Sequence, residues 1–309
     1  MKFAYLAGYV DGDGSIFAKR YTQKKGTKVF SCHLEISSTF QPICEYFFHE
    51  FGGGFSKKPE QRKNRKPSWV WRTSSSQRLS HIFKEIEPYL ILKKKSAQLS
   101  LSLIETIINS TPHVGNPVTK ETLNYRDELI KRIKEEIHMN DRVNEQLFES
   151  LKELKKCKTP SQADLAYLSG LIDAEGCFRI QHWKPKRKGR NETWVITLEI
   201  GNAKFPIFPW LIERFGGSIV FRKPSKPTQS PMIIWSLRSD SLFQVLPLIF
   251  PYLRVKKERC EKIGEFHQTG LMVGGDRHSS VFKDRIIDVL TTRRKLFEEF
   301  QILNRKGNH

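Results

Sequence analysis

The stretch Tyr5-Leu6-Ala7-Gly8-Tyr9-Val10-Asp11-Gly12-Asp13-Gly14 returns, nearly unchanged, as Tyr167-Leu168-Ser169-Gly170-Leu171-Ile172-Asp173-Ala174-Glu175-Gly176. Each copy reads as an apolar helix carrying small residues, closed by an acid and a glycine. Such a duplication constrains the chain to two similar halves, related by a pseudo-twofold axis at which the two acids can meet.

The register of the repeat holds well beyond the motif. The motif acids lie 162 residues apart (Asp13 to Glu175), the Phe-Gly-Gly triplets 164 (Phe51 to Phe215) and the Pro-Tyr-Leu triplets 163 (Pro88 to Pro251). A lysine-rich stretch follows each of the last, Lys93-Lys94-Lys95 and Lys256-Lys257. Between these landmarks the pattern predicts strands over 15–21 and 29–37, a helix over 41–51, strands over 55–58 and 69–73, and two helices. The counterparts are strands at 177–183, 193–201, 218–223 and 233–238, with a helix over 205–215. In 29–37, Phe30, Cys32, Leu34 and Ile36 alternate with Ser31, His33, Glu35 and Ser37. In 193–201, Trp194, Ile196, Leu198 and Ile200 alternate with Thr193, Val195, Thr197 and Glu199. Period-two alternation describes a sheet with one buried and one wet face. The fold class is therefore α+β: two pseudo-symmetric αββαββα halves, each with helices on one face of an antiparallel sheet. The halves span 1–118 and 161–309. A charged, mostly helical linker over 119–160 joins them, with Ile130, Ile133 and Ile137 at helical spacing. Lys283 to Asn304 echoes that linker, 109–117 is turn-rich and 305–309 reads as frayed.

Charge narrows the partner. With 53 Lys+Arg against 33 Asp+Glu, the net charge is +20, which selects a polyanion. No apolar run is long enough to span a bilayer and no signal-peptide order precedes the first motif, so nucleic acid is favoured over a membrane. The five cysteines form no C-x-x-C pair, which argues against a zinc site or disulfide framework and fits a reducing, intracellular compartment, organellar or prokaryotic.

An acid at a helix C-terminus faces the negative end of the macrodipole. Two such acids, Asp13 and Glu175, repel if their helices pack together. A shared divalent cation explains the arrangement, and oxygen ligands point to Mg²⁺, with Mn²⁺ as substitute. Ala7, Gly8, Ser169 and Gly170 remove bulk so that the backbones can approach. Gly14 and Gly176 are expected to adopt the left-handed cap conformation.

From Phe3 to about Asn304 the doubled motif, the matched halves and the lysine after each Pro-Tyr-Leu resemble the single-chain, two-repeat LAGLIDADG homing endonucleases. The resemblance implies a monomer whose two sheets form a saddle on DNA, with the motif helices at the interface. It implies metal-dependent hydrolysis of one phosphodiester per strand across the minor groove, leaving short 3′ overhangs. The metal ligands carry over to Asp13 and Glu175, with the backbone carbonyls of Gly12 and Ala174. The basic residues of the active site carry over to Lys93 and Lys256. The polar residues that order the water network fall on Ser38 and Asn202. Glu175 stands where the family's motif more often has Asp, and Ser169 where it has Ala.

The strand register places Phe17, Lys19 and Tyr21, with Cys177, Arg179, Gln181 and Trp183, away from the helix layer. Ser31, His33, Glu35, Thr197 and Glu199 join them on the wet face. Arg, Gln and Glu are the side chains that read base edges. The basic runs 62–66 and 184–190 suit phosphates. Because the halves differ at these positions, the target is expected to be one asymmetric duplex of roughly two helical turns. Host intron RNA is a second polyanion the family allows. An RNA maturase and a DNA-binding regulator on this fold are the rival readings. Neither needs both acids and both lysines. No intein splicing segments flank the repeats, which favours a free-standing, intron-encoded enzyme.

Overall fold

The computed structural model describes residues 1–23, 26–59, 66–110, 118–138, 142–183, 192–226, 228–271 and 280–305. The runs 62–65 and 184–190, the turn-rich 111–117 and the tail 306–309 lie outside the described residues, as do the side chains of Ile137 and residues 283–285.

The first half runs α1 (Lys2–Asp13), β1 (Gly14–Thr22), β2 (Lys28–Ser38), α2 (Gln41–Phe51), β3 (Gly54–Lys57), β4 (Trp69–Thr73), α3 (Ser76–Ile86) and α4 (Lys94–Asn109). Next come α5 (Lys120–His138) and α6 (Glu145–Leu151). The second half repeats the order as α7 (Gln162–Glu175), β5 (Gly176–Trp183), β6 (Thr193–Asn202), α8 (Ile207–Phe215), β7 (Ser218–Arg222), β8 (Met232–Arg238), α9 (Ser239–Ile249), α10 (Lys257–Leu271) and α11 (Ser280–Arg305). Both sheets are four-stranded and antiparallel, ordered β1-β2-β4-β3 and β5-β6-β8-β7.

The alternation read from sequence sets the core. Ile16, Ala18, Phe30, Cys32, Leu34 and Ile36 are buried on one side of the first sheet, as are Phe178, Ile180, Ile196, Leu198 and Ile200 in the second. The duplication extends to single hydrogen bonds. Trp71 Nε1 donates to the Gly52 carbonyl at 2.7 Å and Trp235 Nε1 to the Gly216 carbonyl at 2.7 Å, each fastening β4 or β8 to the end of α2 or α8. The linker is not a separate body. Helix α5 packs on α4 and β1, burying Leu129, Ile130 and Ile133, and Asp127 pairs with Arg20 at 2.8 Å. In the second half α11 packs on α10, so the likeness between the linker and the C-terminal segment reflects equivalent places in the two repeats.

The halves meet along α1 and α7, whose backbones touch. A Cβ on Gly8 would lie 2.0 Å from the Tyr167 carbonyl oxygen, and one on Gly170 would lie 2.0 Å from that of Tyr5. Only glycine permits this approach. The expected left-handed caps at Gly14 and Gly176 are not found. Both are extended, with φ −74° and −68°, because the chain turns straight from helix into strand. Glycine is required there for space instead, since a Cβ would sit 2.6 Å from Val10 Cα and 2.8 Å from Ile172 Cα.

The interface predicts its own sensitivity. Gly8→Val places a branched side chain against the Tyr167 backbone and should cost about 3 kcal/mol or more. Chemical denaturation of the full chain measures this; a loss below about 1 kcal/mol would show that the helices separate easily.

Candidate active site

The wet faces of the sheets carry most of the side chains expected there, and without a partner they satisfy one another. Phe17 stacks on His33 with centroids 4.9 Å apart, and Ser31 Oγ shares a 2.9 Å hydrogen bond with the same ring. Burial, aided by Lys19 and Arg72, lowers the His33 pKa and favours a neutral imidazole. Lys19 lies over Phe17. Glu35 pairs with Lys58 at 3.1 Å and Arg72 at 3.7 Å, and Glu199 with Arg179 at 3.2 Å. Tyr21 and Trp183 stand 53% and 63% exposed, and Gln181 and Cys177 are half-buried. Thr197 departs from expectation, being only 1% exposed. Its register partners are Arg179 on one side and Arg238 on the other, so the short side chain lies between two much longer ones. Its hydroxyl has no hydrogen-bond partner.

Helices α1 and α7 end beside each other. Their last residues, Asp13 and Glu175, are exposed at the joint between the two sheets. Desolvation raises the pKa of both carboxyls, and Asp13 adds to the effect on Glu175. Lys256 and Lys93 oppose the shift at both acids. At Gly12 an added Cβ would lie 2.4 Å from Ala174 Cβ and 3.1 Å from Glu175 Cγ, so the two termini are in contact.

The lysines do something the sequence did not suggest. Lys93 Nζ donates to the carbonyls of Val10, Asp11 and Gly12 at 2.6, 2.8 and 3.1 Å. Lys256 Nζ donates to those of Ile172, Asp173 and Ala174 at 2.6, 2.9 and 3.3 Å. An ammonium has three donors, so each lysine is spent capping a helix C-terminus, where a cation is favoured by the macrodipole. Burial lowers both pKa values to about 8. The carbonyls of Gly12 and Ala174 are the longest contacts of each set and keep a second lone pair for another ligand.

The other acids of the motif, Asp11 and Asp173, are buried and structural. Asp11 accepts from the backbone N–H groups of Ile91, Leu92 and Lys93 at 2.7, 3.1 and 2.8 Å, and from the hydroxyl of Tyr167 at 2.6 Å. Asp173 accepts from the N–H groups of Arg254 and Lys256 at 2.7 and 2.8 Å, and from Tyr5 at 2.8 Å. Each aspartate therefore holds the loop that carries its own half's lysine and is itself held by a tyrosine of the other half. Burial raises both carboxyl pKa values, and the surrounding donors oppose that shift.

Ser38 and Asn202 also take local roles. Ser38 Oγ accepts from the Phe40 N–H at 3.1 Å, and Asn202 Oδ1 from the Lys204 N–H at 2.8 Å. Both oxygens shape the turn between a second strand and the following helix.

Among the described residues no group of three or more His, Cys, Asp or Glu stands ready to hold a metal. Two exposed carboxylates with adjacent carbonyls fit a smaller demand. Mg²⁺ is commonly held by one or two carboxylates and completes its shell with water and substrate phosphate. The donor set at Asp13 and Glu175 fits such an ion.

Residues 6–103 match the profile of the LAGLIDADG endonucleases. That match spans the first repeat, and the second repeat carries the same motif. Its fold matches solved structures almost end to end. I-SmaMI bound to an uncleaved DNA target with calcium ions aligns with a TM-score of 0.66 at 17% identity, over 96% of this chain and 98% of that one. The LAGLIDADG homing endonuclease I-SmaMI bound to cleaved DNA aligns at 0.66 and 15% identity, over 96% of each chain. The LAGLIDADG homing endonuclease I-GzeII in complex with its DNA target aligns at 0.61 and 15% identity, over 93% and 96%. No curated protein sequence matches it.

The LAGLIDADG motif thus divides its labour in this chain. The final acid of each copy is exposed and the earlier one is internal. The signal that could have separated them was present in the sequence: Asp11 and Asp173 are flanked by apolar and small residues on the face that carries Gly8 and Gly170. The tyrosines that open the copies had no assigned role, yet they bind the halves together. Tyr5→Phe removes a buried donor from Asp173 and should cost about 1–3 kcal/mol, as should Tyr167→Phe. Denaturant unfolding of each variant checks this, and a change within error for both would mean the crossed hydrogen bonds do not hold the interface.

Proposed function

We propose that the protein is a site-specific DNA endonuclease, acting as a monomer on one asymmetric duplex of roughly two helical turns and cutting one phosphodiester in each strand. The observation that carries this reading is the pair of exposed carboxylates on touching helix ends, each beside a lysine-capped turn, at the joint between two open sheet faces. The +20 charge and the DNA complexes of I-SmaMI and I-GzeII support a DNA partner. An RNA maturase or a regulator would have no use for two acids kept exposed at this joint.

Asp13 and Glu175 would hold the divalent cations, Mg²⁺ or Mn²⁺, with the free lone pairs of the Gly12 and Ala174 carbonyls. Bound there, such ions lower the pKa of water and stabilise a leaving oxygen. Lys93 and Lys256 keep the helix ends closed and place positive charge beside the scissile phosphates. Arg179, Lys19 and Glu35 exchange their internal contacts for base edges and phosphates when DNA docks, and Gln181 adds a base contact. Phosphate contacts make affinity fall steeply with salt.

Asp13→Asn and Glu175→Gln keep shape but make poor metal ligands. Each should slow cleavage by roughly a hundredfold or more while duplex affinity stays within a few-fold. The assay is strand-resolved cleavage in Mg²⁺ of sites that the unmodified protein selects from a random duplex library. Cutting at the unmodified rate by the double variant would remove these acids from the metal site.

A further inference from the structure

One residue enters the first-half site from across the interface. A cavity of about 290 Å³ beside the end of α1 is lined by Gly14, Ser15, Ile16, Phe17, Lys93 and Ser96, all from the first half, and by Lys204 from the second. Lys204 is half-buried. Among the described residues its ammonium has no hydrogen-bond or ion-pair partner, and it lies close enough to Lys93 to help depress that lysine's pKa. Asp11, the acid beneath Lys93, is already filled by three backbone N–H groups and Tyr167. Two ammonium groups thus share one cavity whose lining includes no carboxylate.

This placement is built into the fold. The Lys204 N–H is tied to Asn202, Arg142 forms a bridge with Lys204, and the Val143 N–H donates to the Ala203 carbonyl at 2.8 Å. The linker between the repeats therefore braces the turn that delivers the lysine. The equivalent turn of the first half, tied in the same way by Ser38, carries Phe40, which packs against the core. The second-half site receives no cation from this turn; its additional cation, Arg259, comes from its own half and lines the cavity beside Lys256.

Resting on the endonuclease reading above, we propose that Lys204 contacts the DNA phosphate at the first-half site only, and so serves the cleavage of one strand from the opposite half of the chain. A half-buried cation facing a phosphate acts more strongly than an exposed one, because solvent and salt screen it less. The contact is to one strand, so its loss slows that strand alone.

The experiment uses the full chain and a supercoiled plasmid carrying a site selected by the unmodified protein from a random duplex library in Mg²⁺. Strand-specific labels report each cut. Lys204→Gln should slow one strand by about tenfold or more, with nicked circle accumulating, while the other strand and duplex affinity stay within about threefold. Lys204→Arg should restore most of the rate. Equal slowing of both strands, weaker binding without strand bias, or unmodified rates in Lys204→Gln would each overturn the proposal. If the unmodified protein cuts no duplex in the library, the endonuclease reading falls and takes this inference with it.

Discussion

The backbone contact between α1 and α7 is the constraint on which the rest depends. Helices with ordinary side chains keep their axes 8–10 Å apart, and the acids at their ends would then be separated by that spacing. With Gly8 against the Tyr167 carbonyl and Gly170 against that of Tyr5, side-chain bulk no longer sets the distance, and Gly12 can meet Ala174 at the ends. Two carboxylates are thereby placed where desolvation raises both pKa values, and the charge of Asp13 adds to the rise at Glu175. The cation proposed above would relieve that frustration, so the packing and the proposed chemistry share one cause.

A contact this close needs to be held against sliding, and the tyrosines and inner aspartates do that. Tyr5 reaches Asp173 and Tyr167 reaches Asp11, so a shift of one helix along the other breaks buried hydrogen bonds in both halves. The same aspartates fix the loops before α4 and α10, and those loops deliver Lys93 and Lys256 to the helix ends. Arg254 adds a stack on Tyr46 of the other half, 3.6 Å from the ring centroid. Packing, loop position and helix capping form one connected network of short-range contacts.

The repeat and both sheets were legible in the sequence because they rest on patterns of period and spacing. Alternation in 29–37 and 193–201 gave the faces correctly, apart from Thr197, which is buried between the longer arginines of the neighbouring strands. Gly14 and Gly176 were read as left-handed caps because a glycine after a helix usually is one; crowding against Val10 and Ile172 is a tertiary fact. The lysines were found by spacing, but the use of all three donors on helix carbonyls depends on loop geometry. Ser38 and Asn202 show the same limit, since a short polar side chain at a strand end serves a turn or a site equally well until its partner is known. Lys204 was invisible because its importance arises from the opposite half.

The central proposal is that the touching helices bring Asp13 and Glu175 together to hold divalent cations. Electron paramagnetic resonance of Mn²⁺ titrated into the full chain, bound to a duplex it has selected, tests this without relying on turnover. The account predicts a protein-dependent loss of the free Mn²⁺ signal that disappears when Asp13→Asn and Glu175→Gln are combined, with DNA still bound. Equal Mn²⁺ uptake by that double variant would contradict it.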